Sequence, residues 1–128
     1  MNAMPAKRVA RQPREWALDP TKFGEMPGGR STPVRWHRPA DDFERICLHA
    51  AQIQHEIVAV ANGYRGERGG ISWKDLAGDF QMSYDQLMKV VRGQAHISMR
   101  HVADITHVLG PVFITEYRRL VEQVNNET

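Results

Sequence analysis

Between Ile71 and Gln94 the chain reads ISWKDLAGDFQMSYDQLMKVVRGQ, and the spacing of its apolar residues leaves few ways to fold. Leu76 and Ala77 fall on the inward face of one short helix, and Leu87 and Val90 on that of a second. Phe80 and Met82 fill the corner between them, so a tight turn is expected at Gln81 and Met82. The small Ala77 lets the second helix cross close to the first at a steep angle. With these positions inside, Tyr84, Asp85, Met88, Lys89 and Arg92 are left facing outward.

Start signals divide the rest of the domain. Ser72 with Asp75 resembles a capping box, and Ser83 with Gln86 fits the Ser-x-x-Gln form directly. Ser98 precedes a third apolar repeat, Met99, Val102, Ile105 and Leu109, which Gly110 and Pro111 stop. A last helix is expected over 112–124, with Phe113, Tyr117, Leu120 and Val124 on one face. Upstream, Phe43, Ile46, Ala50, Ile53, Ile57, Val60 and Tyr64 recur at steps of three and four, predicting one long helix begun by Asp41 or Asp42 and ended by Gly63. That stripe suits the core-facing side of a globular helix and also satisfies a coiled-coil template. The stretch 63–70, GYRGERGG, lacks the arrangement of a phosphate-binding loop and is expected to be a plain connection. The expected fold is all-α, with five helices.

The run 72–92 resembles the helix-turn-helix of the phage-repressor (Cro/C1, or Xre) family, including Arg92-Gly93 at the close of the second helix. The register continues downstream, with Ile97, Ser98, Met99, Val102, Ile105 and Leu109 at the family's offsets from Gly93. The match covers roughly 53–110, leaving residues 1–40 and the last helix outside it. Three positions depart from the pattern: Gln81 stands where the turn usually has Gly, Val91 where an acidic residue is common, and Ile97 where Pro is common. A non-Gly residue at positive φ in that turn costs on the order of 1 kcal/mol.

The resemblance implies a sequence-specific, repressor-like transcriptional regulator of double-stranded DNA, with the helix from about 83 to 92 in the major groove. Ser83, Tyr84, Asp85, Gln86 and Lys89 are then the base-contacting candidates, with Tyr84, Asp85 and Lys89 foremost. Asp85 suits a cytosine amino group, Gln86 an adenine, and Lys89 a guanine or a phosphate. Backbone contacts are expected from Ser72, Trp73 and Lys74 at the start of the first helix of the pair, and from Arg92, Gln94, His96 and Arg100 beyond the second. Lys74 and Arg100 also suit a solvated helix face, and Trp73 suits a core position. The family's habit of binding as dimers points to the long first helix or the last helix as the contact between copies.

Charge is divided unevenly. Eight basic residues against three acidic ones give residues 1–40 a charge of +5, so the remainder of a chain whose net charge is +2 carries −3. The same 40 residues hold six of the seven prolines and no sustained apolar periodicity, and are expected to form an extended or partly disordered basic arm. Lys7, Arg8, Arg11 and Arg14 are its candidate DNA contacts. Trp16, Phe23 and Trp36 exceed what a linker needs, so part of the arm is expected to dock on the body or on a partner. Residues 41–128 form the helical domain.

Other chemistries find little support. Cys47 is the single cysteine, and no Cys/His spacing resembles a zinc site. His49 and His55, like His101 and His107, stand six apart and do not share a helix face as an i, i+4 metal pair does. No catalytic residue, metal or cofactor is expected, and the chain is read as a non-enzyme. It has no run long enough to span a bilayer and no secretory signal at its N-terminus, which suggests a cytoplasmic, nucleoid-associated protein. The rival reading is a protein-interaction module, such as an antitoxin or phage-encoded modulator, that grips a partner through the arm and the last helix.

Overall fold

The computed structural model describes residues 11–25 and 34–110, with residues 118, 119, 122 and 126. The architecture is all-α: four α-helices and two short 3-10 turns, with no strand among the described residues. The helices are α1 (Asp42–Glu67), α2 (Trp73–Ala77), α3 (Tyr84–Val91) and α4 (Met99–Leu109). Arg118, Arg119, Glu122 and Asn126 are helical, but the apolar face expected of a last helix (Phe113, Tyr117, Leu120, Val124) lies outside the described residues. So do Lys7 and Arg8.

Each of α1 to α4 starts on a side chain that satisfies an otherwise unpaired backbone N–H. The Glu44 N–H donates to Asp41 Oδ1 at 2.9 Å, and the Asp75 N–H to Ser72 Oγ at 3.1 Å. Ser83 and Ser98 head reciprocal boxes, taking the N–H groups of Gln86 and His101 at 3.2 and 3.1 Å. The second box closes on an imidazole, since His101 Nδ1 accepts the Ser98 N–H at 3.2 Å.

Leu76, Ala77, Phe80, Met82 and Leu87 are buried with Ile57 of α1 and Ile105 of α4 in one cluster. Ile53, Val60, Tyr64, Trp73, Ile97 and Val102 pack around it. Val90 is also buried. Each fully covered Leu or Ile contributes roughly 1.5–3 kcal/mol.

Three expectations are corrected. Helix α1 does not end at Gly63 but runs four residues further, so the first part of 63–70 is helical. Its C-terminal turn is held by Arg65, whose Nη1 donates to the Ile71 carbonyl at 2.7 Å and Nη2 to Asn62 Oδ1 at 3.0 Å. The apolar stripe of α1 is inward only in its second half: Phe43, Ile46 and Ala50 are exposed, Ile46 at 68 %. The buried side there is instead Leu48 and Ala51. Gln81, finally, is not at positive φ, and among the described residues no non-glycine residue is. The chain leaves α2 through successive tight turns, with the N–H groups of Gly78, Asp79 and Phe80 donating to the carbonyls of Asp75, Leu76 and Ala77.

The described part of the expected arm, residues 11–25 and 34–40, docks on the body as expected of its aromatic residues, and the surface it covers is a flank of α1. Pro13–Trp16 and Pro20–Lys22 form 3-10 turns. The chain then returns so that Ala17 and Trp36 make an antiparallel bridge, with Leu18 N–H donating to the Arg35 carbonyl and His37 N–H to the Trp16 carbonyl, both at 2.8 Å. Trp16, only 3 % exposed, packs with Leu48 and Ala51 as a second small core beside Trp36 and Cys47. This occupation of one flank explains why α1 buries a different face in its first half.

Candidate nucleic-acid interface

Helix α3 is fixed at both ends, by its own glycine closure and by two residues remote in sequence, Asp104 and Gln54. At its start, the N–H of Gln81 donates to both carboxylate oxygens of Asp104 on α4, at 3.1 and 2.9 Å. At its end, the N–H groups of Gly93 and Gln94 donate to the carbonyls of Val90 and Lys89, a Schellman closure with Gly93 at φ +69°. Gln54, buried on α1, locks the chain that follows. Its Nε2 donates to the carbonyls of Val90 and Ala95, each at 2.9 Å, and its Oε1 accepts the Ile97 N–H at 2.8 Å.

The free face of α3 carries the expected readout residues. Tyr84 (42 % exposed), Asp85, Lys89 and Arg92 are open to solvent. With Met88 and Gln94 they line a shallow hollow of about 220 Å³. Gln86 and Arg100 lie instead on a larger hollow of about 570 Å³ between the turn and α4, with Gln81, His101, Asp104 and His107. Tyr84, Asp85, Lys89, Arg92 and Gln94 thus share one hollow, and Gln86 and Arg100 the other.

Several side chains have structural duties as well. Ser83 Oγ is occupied as a helix cap, and Gln86 Oε1 accepts the Ser83 N–H at 3.4 Å, long enough to yield to a better partner. Asp85 sits in the first turn of α3, where a carboxylate is favoured by the helix dipole. Ser72 caps α2, and with only five residues that helix has little dipole to offer an anion, which leaves the exposed Lys74 as its main cation. Trp73 is half-buried, with the Arg65 guanidinium 4.4 Å over its ring. His96 is exposed and lines neither hollow.

Of the arm candidates within the described residues, Arg11 stacks 4.4 Å over the Trp16 ring, and Arg14 Nε donates to Gln12 Oε1 at 3.0 Å. The arm is anchored further along by His55 on α1. The Gly24 N–H donates to His55 Nδ1 at 2.7 Å, and the imidazole lies edge-on to the rings of Phe23 and Trp36 at 5.6 and 5.4 Å. Asn62 Nδ2 donates to the Gly24 carbonyl at 2.8 Å. Burial lowers the His55 pKa to about 4, so the ring is neutral at pH 7 and its Nδ1 is free to accept.

Sequence reasoning passed over Gln54 and Asp104 and weighed His55 only as a metal ligand, because polar residues on amphipathic helices are ordinarily assigned to solvent. The one available signal was position: Gln54 follows Ile53 and precedes Ile57 on the side of α1 that turns inward.

Among the described residues, no group of three or more His, Cys, Asp or Glu side chains is placed to hold a metal ion, and no helix is long and apolar enough to cross a membrane. Comparison with protein-family models, curated proteins and solved structures finds no match.

Proposed function

We propose that the chain is a sequence-specific, double-stranded DNA-binding transcriptional regulator of the Cro/C1 helix-turn-helix type, with a repressor-like mode of action and no enzymatic activity. The observation that carries this reading is the exposed polar face of α3, Tyr84, Asp85, Lys89 and Arg92, on a helix immobilised from three sides by Asp104, Gln54 and the Gly93 closure. A rigid helix with an open polar face suits insertion in a major groove, since the ordering cost is met on folding rather than on binding.

In this reading Tyr84, Asp85 and Lys89 meet base edges, with Ser83 and Gln86 beside them. Asp85 accepts from a cytosine amino group, which offsets the repulsion between its carboxylate and the phosphates. Lys74, Arg92, Gln94, His96 and Arg100 hold the backbone, assisted by the amides at Ser72 and Trp73. Such a protein acts in the cytoplasm on nucleoid DNA. A homodimer places two α3 helices on half-sites about one helical turn apart. Of the two candidate surfaces, the first half of α1 leaves Phe43, Ile46 and Ala50 exposed, as a contact between copies requires.

The rival interaction module requires Trp16 and Trp36 to be covered by a partner, whereas Trp16 is already covered by Leu48 and Ala51 of its own chain. Selection of bound sites from a random duplex library tests the proposal. A recovered motif with two-fold symmetry supports it, and failure to enrich any sequence rejects it.

A further inference from the structure

The turn Pro13–Trp16 is seated against the end of α3. The Arg14 N–H donates to the Gly93 carbonyl at 3.0 Å. A Cβ on Gly93 would stand 2.9 Å from both the backbone nitrogen and Cβ of Arg14, and 2.7 Å from Phe23 Cδ1. The two segments are therefore in contact, with no room for a side chain between them. On the far side, a Cβ on Gly24 would lie 2.6 Å from Val58 Cγ1 and 3.1 Å from the Val91 carbonyl, so the same strap also clasps the last turn of α3.

This seating brings a second set of cations to the C-terminal end of the helix that carries Lys89 and Arg92. Arg14 lies directly on Gly93, and its guanidinium is held by the neutral amide of Gln12, which leaves the charge in place. Arg11 is three residues away, within about 11 Å of chain. It is exposed, and its stack on buried Trp16 restricts its side chain. Both arginines have lost part of their rotamer freedom before any ligand arrives, and a guanidinium matches phosphate oxygens in bidentate fashion.

We propose that the docked Pro13–Trp16 turn is a fixed phosphate-binding element, with Arg11 and Arg14 continuing the backbone contacts made by Arg92 and Gln94. This rests on the major-groove reading of α3 and adds a register: the contact lies at a set distance from the bases read by Lys89, as a freely tethered arm does not. Glu15, in the same turn, opposes it.

The test measures binding of the full chain to a short duplex of mixed sequence across 50–200 mM salt. Replacing two phosphate-binding cations lowers the slope of log K against log salt by about 1.8, so the affinity ratio of wild type to Arg11→Gln/Arg14→Gln shrinks about tenfold over that range. Arg11→Lys/Arg14→Lys, which keeps the charge, retains most of the slope. Glu15→Gln tightens binding, more at 50 mM than at 200 mM, and gives an independent reading should the double Gln variant fold poorly. An unchanged slope in the double Gln variant, or an unchanged affinity in Glu15→Gln, overturns the proposal. If Lys89→Ala still weakens binding in that case, the α3 reading stands without it. A wild-type chain that binds no duplex at 50 mM salt overturns both.

Discussion

The side-chain carbonyl of Gln54 accepts the backbone N–H of Ile97 at 2.8 Å, and through this one amide α1 fixes the loop that leads from α3 to α4. The same side chain serves the carbonyls of Val90 and Ala95. A neutral amide is well suited to the task, because it supplies two donors and an acceptor without bringing a charge into the interior. Leucine has similar bulk and none of these groups. Gln54→Leu leaves the partly buried Ala95 carbonyl and Ile97 N–H without this partner, while the Val90 carbonyl keeps the Gly93 N–H, and at 1–3 kcal/mol each it is expected to cost on the order of 2 kcal/mol or more. Urea unfolding measures this, and a loss under about 1 kcal/mol would mean that water replaces the amide.

His55 links the arm to acidity. Its pKa lies near 4 in the fold and near 6.5 in the unfolded chain, so between those values the unfolded state binds the extra proton. The stabilisation is complete above about pH 6.5 and lost as pH falls through 4, a change on the order of 3 kcal/mol. Protonation at Nδ1 would also turn the acceptor of the Gly24 N–H into a donor facing a donor. Thermal melts from pH 7.5 to 4.5 should fall more steeply for wild type than for His55→Gln. Parallel curves would remove His55 as the cause.

Gly93 is constrained twice, by its φ of +69° and by Arg14 and Phe23 where a Cβ would stand. Gly93→Ala is expected to cost on the order of 1–3 kcal/mol, partly by lifting the Pro13–Trp16 turn. Proteolysis within residues 11–25 should quicken in the variant. Unchanged cleavage would show that the turn docks independently of Gly93.

Lys89 and Arg92 differ in position and should differ in effect. Lys89→Ala is expected to weaken binding and erode preference between a selected site and a scrambled one. Arg92→Ala should weaken both alike and lower the salt slope by about 0.9. Gel-shift titrations on the two duplexes separate these outcomes, and a larger loss of preference at Arg92 would reverse the assignments.

The elements α2, α3 and α4 were legible because their determinants are local. Three serines each cap the helix that follows within three residues, and Leu76, Ala77, Phe80, Met82, Leu87 and Val90 declare a buried face by spacing alone. That part of the arm docks was legible in its aromatic residues, but where it docks was not, for the converse reason. Trp16, Phe23 and Gly24 obey no period, and they find their places only against residues of α1 and α3 far along the chain. The same docking misled the reading of α1. Periodicity shows that Phe43, Ile46 and Ala50 share a stripe, but not that the arm occupies the neighbouring flank and leaves that stripe outside.

Because Trp16 belongs to a core, removing residues 1–38 does more than strip positive charge. Trp16→Ala alone is expected to cost about 3–5 kcal/mol. A salt-dependence experiment on a chain shortened in this way would mix lost charge with lost fold, whereas point substitutions at Arg11 and Arg14 keep the two apart.

The clasp of position 14 on position 93 also governs the order in which the molecule can assemble. Synthesis delivers Pro13–Trp16 first, yet the surface it closes on exists only once α3 has formed and met α1. Because its loop-closure cost precedes any gain from the contact, such long-range closure is expected late on the folding path and early in unfolding. Substitutions at Trp16 should therefore speed unfolding in stopped-flow measurements while leaving the folding limb nearly unchanged.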